Sequence, residues 1–206
     1  VQRRKTAGWT AGLAHTEYLS NATLSGGVTY RRGTGAFSAL RAPEEDFGEA
    51  YSRTGILQAN ASLQVPFNAG QQRLQYAAEW RAQYSKKPLT PQDRFSIGSR
   101  YTVRGFDGEQ TLMADSGFSV LNEISGSMFK LPMQWYTGID YGEVGGKTAY
   151  EPNPLAGTSL LGAAAGLRGQ VLKSVSYDVF IGAPLKKPEH FKTDSVTSGF
   201  SLNWMY

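Results

Sequence analysis

The chain has 206 residues, a formal net charge of +4, no cysteine, 24 glycines, 10 phenylalanines, 4 tryptophans and 11 tyrosines, and 18% of it is charged. Because there is no cysteine, disulfide scaffolds and thiolate metal sites are excluded. No run of apolar residues approaches the ~18 of a membrane helix, and no basic run is long enough to indicate a nucleic-acid surface.

The chain begins at Val1, with neither Met nor a signal segment. This start predicts that the sequence is a piece of a longer protein. Low charge, many aromatics and abundant Gly and Ser without a helical span are typical of an outer-membrane β-barrel.

In chain order, residues alternate between apolar and polar in ten segments, several of them near the length at which a tilted strand crosses a bilayer. Period-two alternation predicts an all-β fold with ten antiparallel strands. The predicted strands are 4–19, 21–33, 53–66, 72–86, 94–101, 117–128, 133–143, 158–170, 174–185 and 195–206.

The two faces of these strands differ in chemistry. One carries Leu, Val, Ala and aromatics, and the other carries mostly uncharged Gln, Asn, Ser, Thr and Gly, whereas the water-facing side of a soluble sandwich usually carries many Lys and Glu. Trp and Tyr recur on the apolar face, as in an aromatic girdle. The pattern therefore favours a transmembrane β-barrel over a soluble β-sandwich. The girdle candidates are Trp9, Tyr30, Trp80, Tyr84, Trp135, Trp204 and Tyr206.

Four connections are long: 34–52, 102–116, 144–157 and 186–194. In the first, Pro43 followed by Glu44, Glu45 and Asp46 predicts a short helix with Pro at its first position.

One connection carries an unusual motif, Val103-Arg104-Gly105-Phe106. It is preceded by Phe95-Ser-Ile-Gly and followed by Asp115-x-Gly and Asn122-Glu123. Gly105 and Gly108 permit tight turns, so Arg104 can be presented at a loop tip. There its planar guanidinium would seek a carboxylate. A solvated side chain is the ordinary alternative for a loop Arg.

A second motif, Gly138-x-Asp140-x-Gly142, offers that carboxylate. Strand parity places Asp140 on the polar, inward face, where the two glycines leave room for an inserted loop. The same parity turns Glu123 inward. A charge facing lipid is destabilising, so both carboxylates are predicted to face a lumen, where Asp140 could still be an ordinary solvated carboxylate.

In this order, and with a C-terminal strand that ends in the aromatic Tyr206, the motifs resemble the TpsB transporters, the BamA-related outer-membrane pores of two-partner secretion. The resemblance implies a 16-stranded barrel whose sixth extracellular loop folds into the lumen, and a charge-assisted pair between Arg104 and Asp140. It also implies a C-terminal assembly signal, carried here by Phe200, Leu202, Trp204 and Tyr206.

If that loop joins the eleventh and twelfth strands, segment 94–101 is the eleventh and the ten segments are strands seven to sixteen. Residues 1–206 are then the C-terminal part of the barrel. A plug helix, two POTRA domains and the first strands are expected to precede them. This order places connection 34–52 on the periplasmic side, where turns are normally short.

The function that the resemblance implies is export of a large β-helical exoprotein, such as an adhesin, a contact-dependent inhibition toxin or a haemolysin, without nucleotide. The implied location is the Gram-negative outer membrane. The implied partners are the exoprotein, outer-membrane lipid and lipopolysaccharide, and the barrel-assembly machinery, with no nucleic acid. A BamA-like insertase and a general porin are the alternatives.

No other chemistry is supported by residue spacing. His15 and His190 lack metal-ligand spacing, and no hydrolase motif occurs, so no metal, cofactor or enzymatic activity is expected. Asp107 and Glu109 sit at the first and third positions of a potential Ca²⁺ loop. The sixth and twelfth positions of that loop hold Leu112 and Phe118.

We therefore expect Asp107, Glu109 and Asp115 to be solvated. Arg168 and Asp178 are expected to pair across adjacent strands.

Overall fold

The structure is a computed structural model that describes residues 5–128, 132–146, 157–172 and 174–205. The described residues form eleven strands and three short 3₁₀ helices, at Ala36–Ser38, Pro43–Phe47 and Pro91–Asp93. The strands are β1 (Ala7–Leu19), β2 (Ala22–Thr34), β3 (Gly55–Ala69), β4 (Gln72–Ser85), β5 (Phe95–Ile97), β6 (Leu112–Ala114), β7 (Ser116–Ser127), β8 (Met133–Gly145), β9 (Ser159–Leu172), β10 (Val175–Lys186) and β11 (Thr197–Trp204). Within these ranges, no helix has the length and apolar character needed to cross a bilayer.

Nine strands form one antiparallel sheet in the order β1-β2-β3-β4-β7-β8-β9-β10-β11, which confirms the predicted all-β fold. Because directly paired residues lie on the same face, the register extends each face across the sheet. Leu13 pairs with Val28, Val28 with Ala59, and Ala59 with Ala82. This outer face is apolar, and its side chains are largely exposed, for example Phe200 at 73%.

The prediction that 94–101 is a strand of the main sheet is wrong. Only Phe95–Ile97 is extended, and it pairs with Leu112–Ala114 in a separate hairpin, while β4 pairs directly with β7. The apolar residues of this segment alternate for another reason: Phe95 (6% exposed) and Ile97 (0%) are buried against the inner face of the sheet and do not face lipid. Gly98, at a φ of 99°, then turns the chain. The main sheet therefore has nine strands rather than ten.

This correction also reverses the predicted side of connection 34–52. With no strand between β4 and β7, the segment 86–115, hereafter the inner loop, leaves the sheet at the same end as the β2–β3 connection. Counted from the inner loop, β4 becomes the eleventh strand and β1 the eighth. The predicted short helix is present as Pro43–Phe47, and Glu45 Oε1 accepts a bond from Ser52 N (3.0 Å) in the same connection.

An apolar core lies between the inner loop and the inner face of the sheet. The loop contributes its hairpin and its tip, β8 and β9 contribute Val144 and Leu160, and the β10–β11 connection adds Phe191. The inner loop is thus packed against the sheet as a folded element. The full core is Phe95, Ile97, Val103, Phe106, Leu112, Ala114, Val144, Leu160 and Phe191.

The C-terminal strand β11 pairs with β10 and forms one edge of the sheet. Phe200, Leu202 and Trp204 lie exposed on its outer face, as their parity predicted. Tyr206 lies outside the described residues. The role of these side chains as an assembly signal stays a prediction.

Candidate functional site

A tight turn at the tip of the inner loop presents the Val103-Arg104-Gly105-Phe106 motif. The amides of Thr102 and Val103 both donate to Ser99 O, at 3.0 and 3.1 Å. Gly105 follows at a φ of 95°, and a Cβ there would lie 2.4 Å from Ala183 O. Only glycine satisfies both the left-handed backbone and the close approach to β10. Val103 is thereby directed into the core and Arg104 towards β7 and β8.

Arg104 is clamped to Asp140 of β8. Its main-chain N and its Nε donate to Asp140 Oδ2, at 3.0 and 2.7 Å, and its Nη2 donates to Oδ1 at 2.9 Å. The Asp140 side chain is fully buried and that of Arg104 is 10% exposed. Bidentate pairs of this kind are among the strongest in proteins. The predicted pairing of the loop-tip Arg with the strand Asp is present in the structure.

Glu123 of β7 completes the carboxylate set. Its Oε2 accepts from Arg104 Nη1 at 2.7 Å, and its Oε1 pairs with Arg168 Nη2 of β9 at 2.9 Å. One loop cation therefore contacts two carboxylates, one of which is shared with a cation of the sheet. The structure brings Arg104, Asp140 and Glu123 together; the sequence predicted that Glu123 faces inward but not that it binds Arg104.

The glycines of the second motif leave space for the inner loop. A Cβ on Gly138 would lie 2.4 Å from Arg104 Nη2, and one on Gly142 would lie 2.9 Å from Val103 Cγ2. Gly162 of β9 does the same, since its Cβ would overlap Arg104 O at 1.9 Å. Gly162 was not among the predicted site residues, although its inward parity was visible in the sequence.

Two further ion pairs hold the inner loop. Asp93 pairs with Arg31 of β2, and Arg100 pairs with Asp178 of β10 at 3.3 Å, where its guanidinium also lies 4.5 Å from the Phe180 ring. The loop is therefore tied to the sheet at β2, at β7–β8 and at β10.

The predicted pair between Arg168 and Asp178 is not formed. The two residues are opposite each other in the register, but Arg168 binds Glu123 while Asp178 binds Arg100 and accepts from Tyr136 Oη at 2.8 Å. The loop supplies Arg100 as a competing cation, which strand spacing could not reveal.

Asp115 is not solvated as expected. It is 1% exposed and its Oδ1 accepts from Leu89 N at 2.7 Å, so it fixes the base of the inner loop. Asp107 is exposed, yet its carboxylate accepts bonds from Asp194 N (2.9 Å), Thr193 Oγ1 (3.0 Å) and Glu109 N (3.0 Å). These bonds, led by that from Asp194, lower the pKa of Asp107. The bonds from Asp194 and Thr193 join the inner loop to the β10–β11 connection.

A comparison with protein families shows which family this chain matches. Residues 1–169 match the family described as haemolysin secretion/activation protein ShlB/FhaC/HecB. The chain belongs to this family. The predicted resemblance to TpsB transporters is confirmed.

Two curated relatives are outer-membrane transporters. The chain is 36% identical over 194 residues to outer membrane transporter CdiB-2 of Burkholderia pseudomallei strain 1026b, covering 93% of this chain and 33% of that protein. It is 29% identical over 203 residues to outer membrane transporter CdiB of Escherichia coli O6:K15:H31 strain 536, covering 94% and 32%. The chain thus spans about a third of the length of these relatives.

Solved structures agree with the fold. CdiB from Acinetobacter baumannii superposes with a TM-score of 0.83 at 39% identity, over 98% of this chain and 34% of that one. CdiB from Escherichia coli gives 0.86 at 25% identity, over 98% and 37%. The nine-stranded sheet is therefore part of an integral outer-membrane β-barrel, and its inner face lines the lumen.

Proposed function

We propose that this chain forms the C-terminal wall and the inner loop of a two-partner secretion pore that exports a large exoprotein to the cell surface without nucleotide. The observation that carries the proposal is the inner loop itself, tied into the lumen by Arg104 at Asp140 and Glu123. A loop whose tip is held by this polar cluster can occupy the lumen at rest, and its tip can move when a passing chain competes for the space.

The wall supports this reading because much of its polar surface is uncharged. Gln58 Nε2 donates to Gln83 Oε1 at 2.8 Å, and Gln75 Nε2 donates to Gln64 Oε1 at 3.3 Å. Amide side chains offer hydrogen bonds that a passing polypeptide can exchange, and they do not trap it by charge.

The partner we propose is a secreted exoprotein of the adhesin, contact-dependent inhibition toxin or haemolysin type. The relatives named CdiB are transporters, and membership in the haemolysin secretion family points the same way. Lipid and lipopolysaccharide would contact the apolar outer face, and the barrel-assembly machinery would engage β11. We propose transport rather than catalysis.

The proposal is tested with the full-length transporter, expressed in cells together with the exoprotein encoded beside it. Exoprotein is measured in the medium and on the cell surface for the wild type and for a variant that lacks residues 95–113. We expect export by the wild type only, while the deletion variant still inserts and conducts ions. Failure of the folded wild type to export would overturn the proposal. A fall in other outer-membrane proteins would point to an insertase, and solute uptake without export to a porin.

A further inference from the structure

The hydrogen-bond ladder between β7 and β8 is interrupted at the Arg104 anchor. Val120 pairs with Tyr141 and Glu123 pairs with Gly138, so the register places Asn122 opposite Ile139, but the two residues between the pairs are not matched across the ladder. The interruption lies beside Asp140, the main partner of the loop cation.

At this gap the main-chain N–H and C=O groups of Asn122 bind the side chains of the anchor. Its N–H donates to Asp140 Oδ1 at 3.2 Å, and its carbonyl oxygen accepts from Arg104 Nη2 at 3.1 Å. The Asp140 carboxylate therefore receives three bonds from Arg104 and a fourth from the neighbouring strand.

A carbonyl left without its ladder donor costs free energy unless another donor reaches it. The Asn122 side chain supplies that donor, because Nδ2 donates to Ile139 O at 3.1 Å. The amide oxygen is also satisfied, since Tyr76 Oη of β4 donates to Oδ1 at 2.8 Å. Both amide atoms thus have partners.

The Asn122 amide lies on the face of the sheet where a polar group is least expected. Tyr76 pairs with Ile124 and Ala78 pairs with Asn122, which places Tyr76 and Asn122 on the apolar outer face. A polar amide facing lipid is costly unless it is satisfied. A plain wall would carry an aliphatic residue there, as at Val120 and Ile124 of the same face.

We infer that Asn122 is a positioning residue for the inner loop. Its side chain substitutes for the missing ladder bond, which frees its main-chain N–H to hold Asp140 in the orientation that receives Arg104. Tyr76 orients the amide. The inference concerns the loop position and holds whether or not the pore exports an exoprotein.

The test uses the full-length transporter in the outer membrane with one added cysteine, V103C, and any other cysteine replaced. Val103 is fully buried in the loop core, so the rate of labelling by a membrane-impermeant maleimide reports release of the loop. We expect N122V to raise this rate roughly tenfold, the factor that corresponds to about one net hydrogen bond. Y76F should raise it less.

A double-mutant cycle with R104A distinguishes a role of Asn122 through the anchor from a purely structural role in the sheet. If Asn122 acts through the anchor, N122V and Y76F leave the labelling rate of the R104A protein unchanged. The matched control is T137V, which removes a hydroxyl-to-carbonyl bond of the outer face, from Thr137 Oγ1 to Ala164 O (3.3 Å), that includes none of the anchor residues; it should not change labelling. Equal effects of N122V with and without Arg104, or no effect with Arg104, would overturn the inference. If N122V fails to insert, the Y76F cycle decides alone.

Discussion

Replacing Asp140 by Asn tests the anchor most simply. The carboxylate is fully buried and accepts three bonds from Arg104. An Asn amide presents one oxygen and one NH₂ group, so one side of the guanidinium would face a donor instead of an acceptor. The buried cation would keep only Glu123 as a charged partner.

The expected cost follows from this geometry. Stranding one member of a buried ion pair costs ~3–5 kcal/mol. Because Glu123 Oε2 remains 2.7 Å from Arg104 Nη1, we expect the lower end, about 3 kcal/mol. If this free energy holds the loop, the released population should rise roughly a hundredfold.

Trypsin added to intact cells measures that population, because cleavage after Arg104 requires the loop to leave the lumen. Cleavage follows the open population when opening is fast relative to proteolysis. We expect fragments beginning at Gly105 to form much faster in D140N. The control is E79Q, which alters an exposed inward carboxylate of β4. Equal cleavage rates in D140N and wild type, with both barrels folded, would refute the reasoning.

Three further outcomes are expected. E123Q should speed the same cleavage less than D140N, by an amount corresponding to ~1.5–3 kcal/mol at most, because Asp140 keeps its three bonds; an effect larger than that of D140N would contradict the ranking. G162A should displace the loop without removing a charge, since its Cβ would lie 1.9 Å from Arg104 O. G145A, which has open space around its Cβ, should not displace it. Equal maleimide labelling of V103C in the two variants would argue against steric contact. Because the pKa of Asp107 is lowered from its ordinary 3.8, its bonds to the β10–β11 connection should stabilise that joint fully above about pH 4 and be lost as pH falls through the lowered pKa. The protection factor for hydrogen exchange at residues 193–194, which is corrected for the intrinsic exchange rate at each pH, should then fall in acid for the wild type, and an unchanged fall in D107N would exclude Asp107 as its cause.

The strands and the inward direction of Asp140 and Glu123 were accessible from the sequence because both follow local rules, whereas the pairing of Arg104 with Asp140 was expected from the resemblance to the TpsB transporters. Alternation with period two marks which side chains face lipid, and inward parity alone brings Asp140 and Glu123 to the lumen. The Val103–Phe106 motif then identifies Arg104 as the cation. These predictions depend on the face to which each residue of a strand points and not on which strands are neighbours.

The rest depended on tertiary placement. Phe95 and Ile97 alternate as a lipid-facing strand would, but they are buried between the inner loop and the inner face of the sheet. The extra strand that this alternation predicted reversed the side of connection 34–52. Arg100 replaced the expected partner of Asp178. The sequence marked Asn122 only as part of the Asn122-Glu123 motif, and the position of its side chain relative to the ladder gap depends on the pairing of β7 with β8.

We propose that the Arg104–Asp140 pair holds the inner loop and that export depends on it. Charge exchange tests it most directly, with export of the exoprotein as the measurement. We expect D140R and R104D each to impair export, and the double variant to recover part of it. Recovery should be partial because Glu123 would then face Asp in place of Arg104. Normal export by both single variants, or no recovery in a folded double variant, would contradict the account.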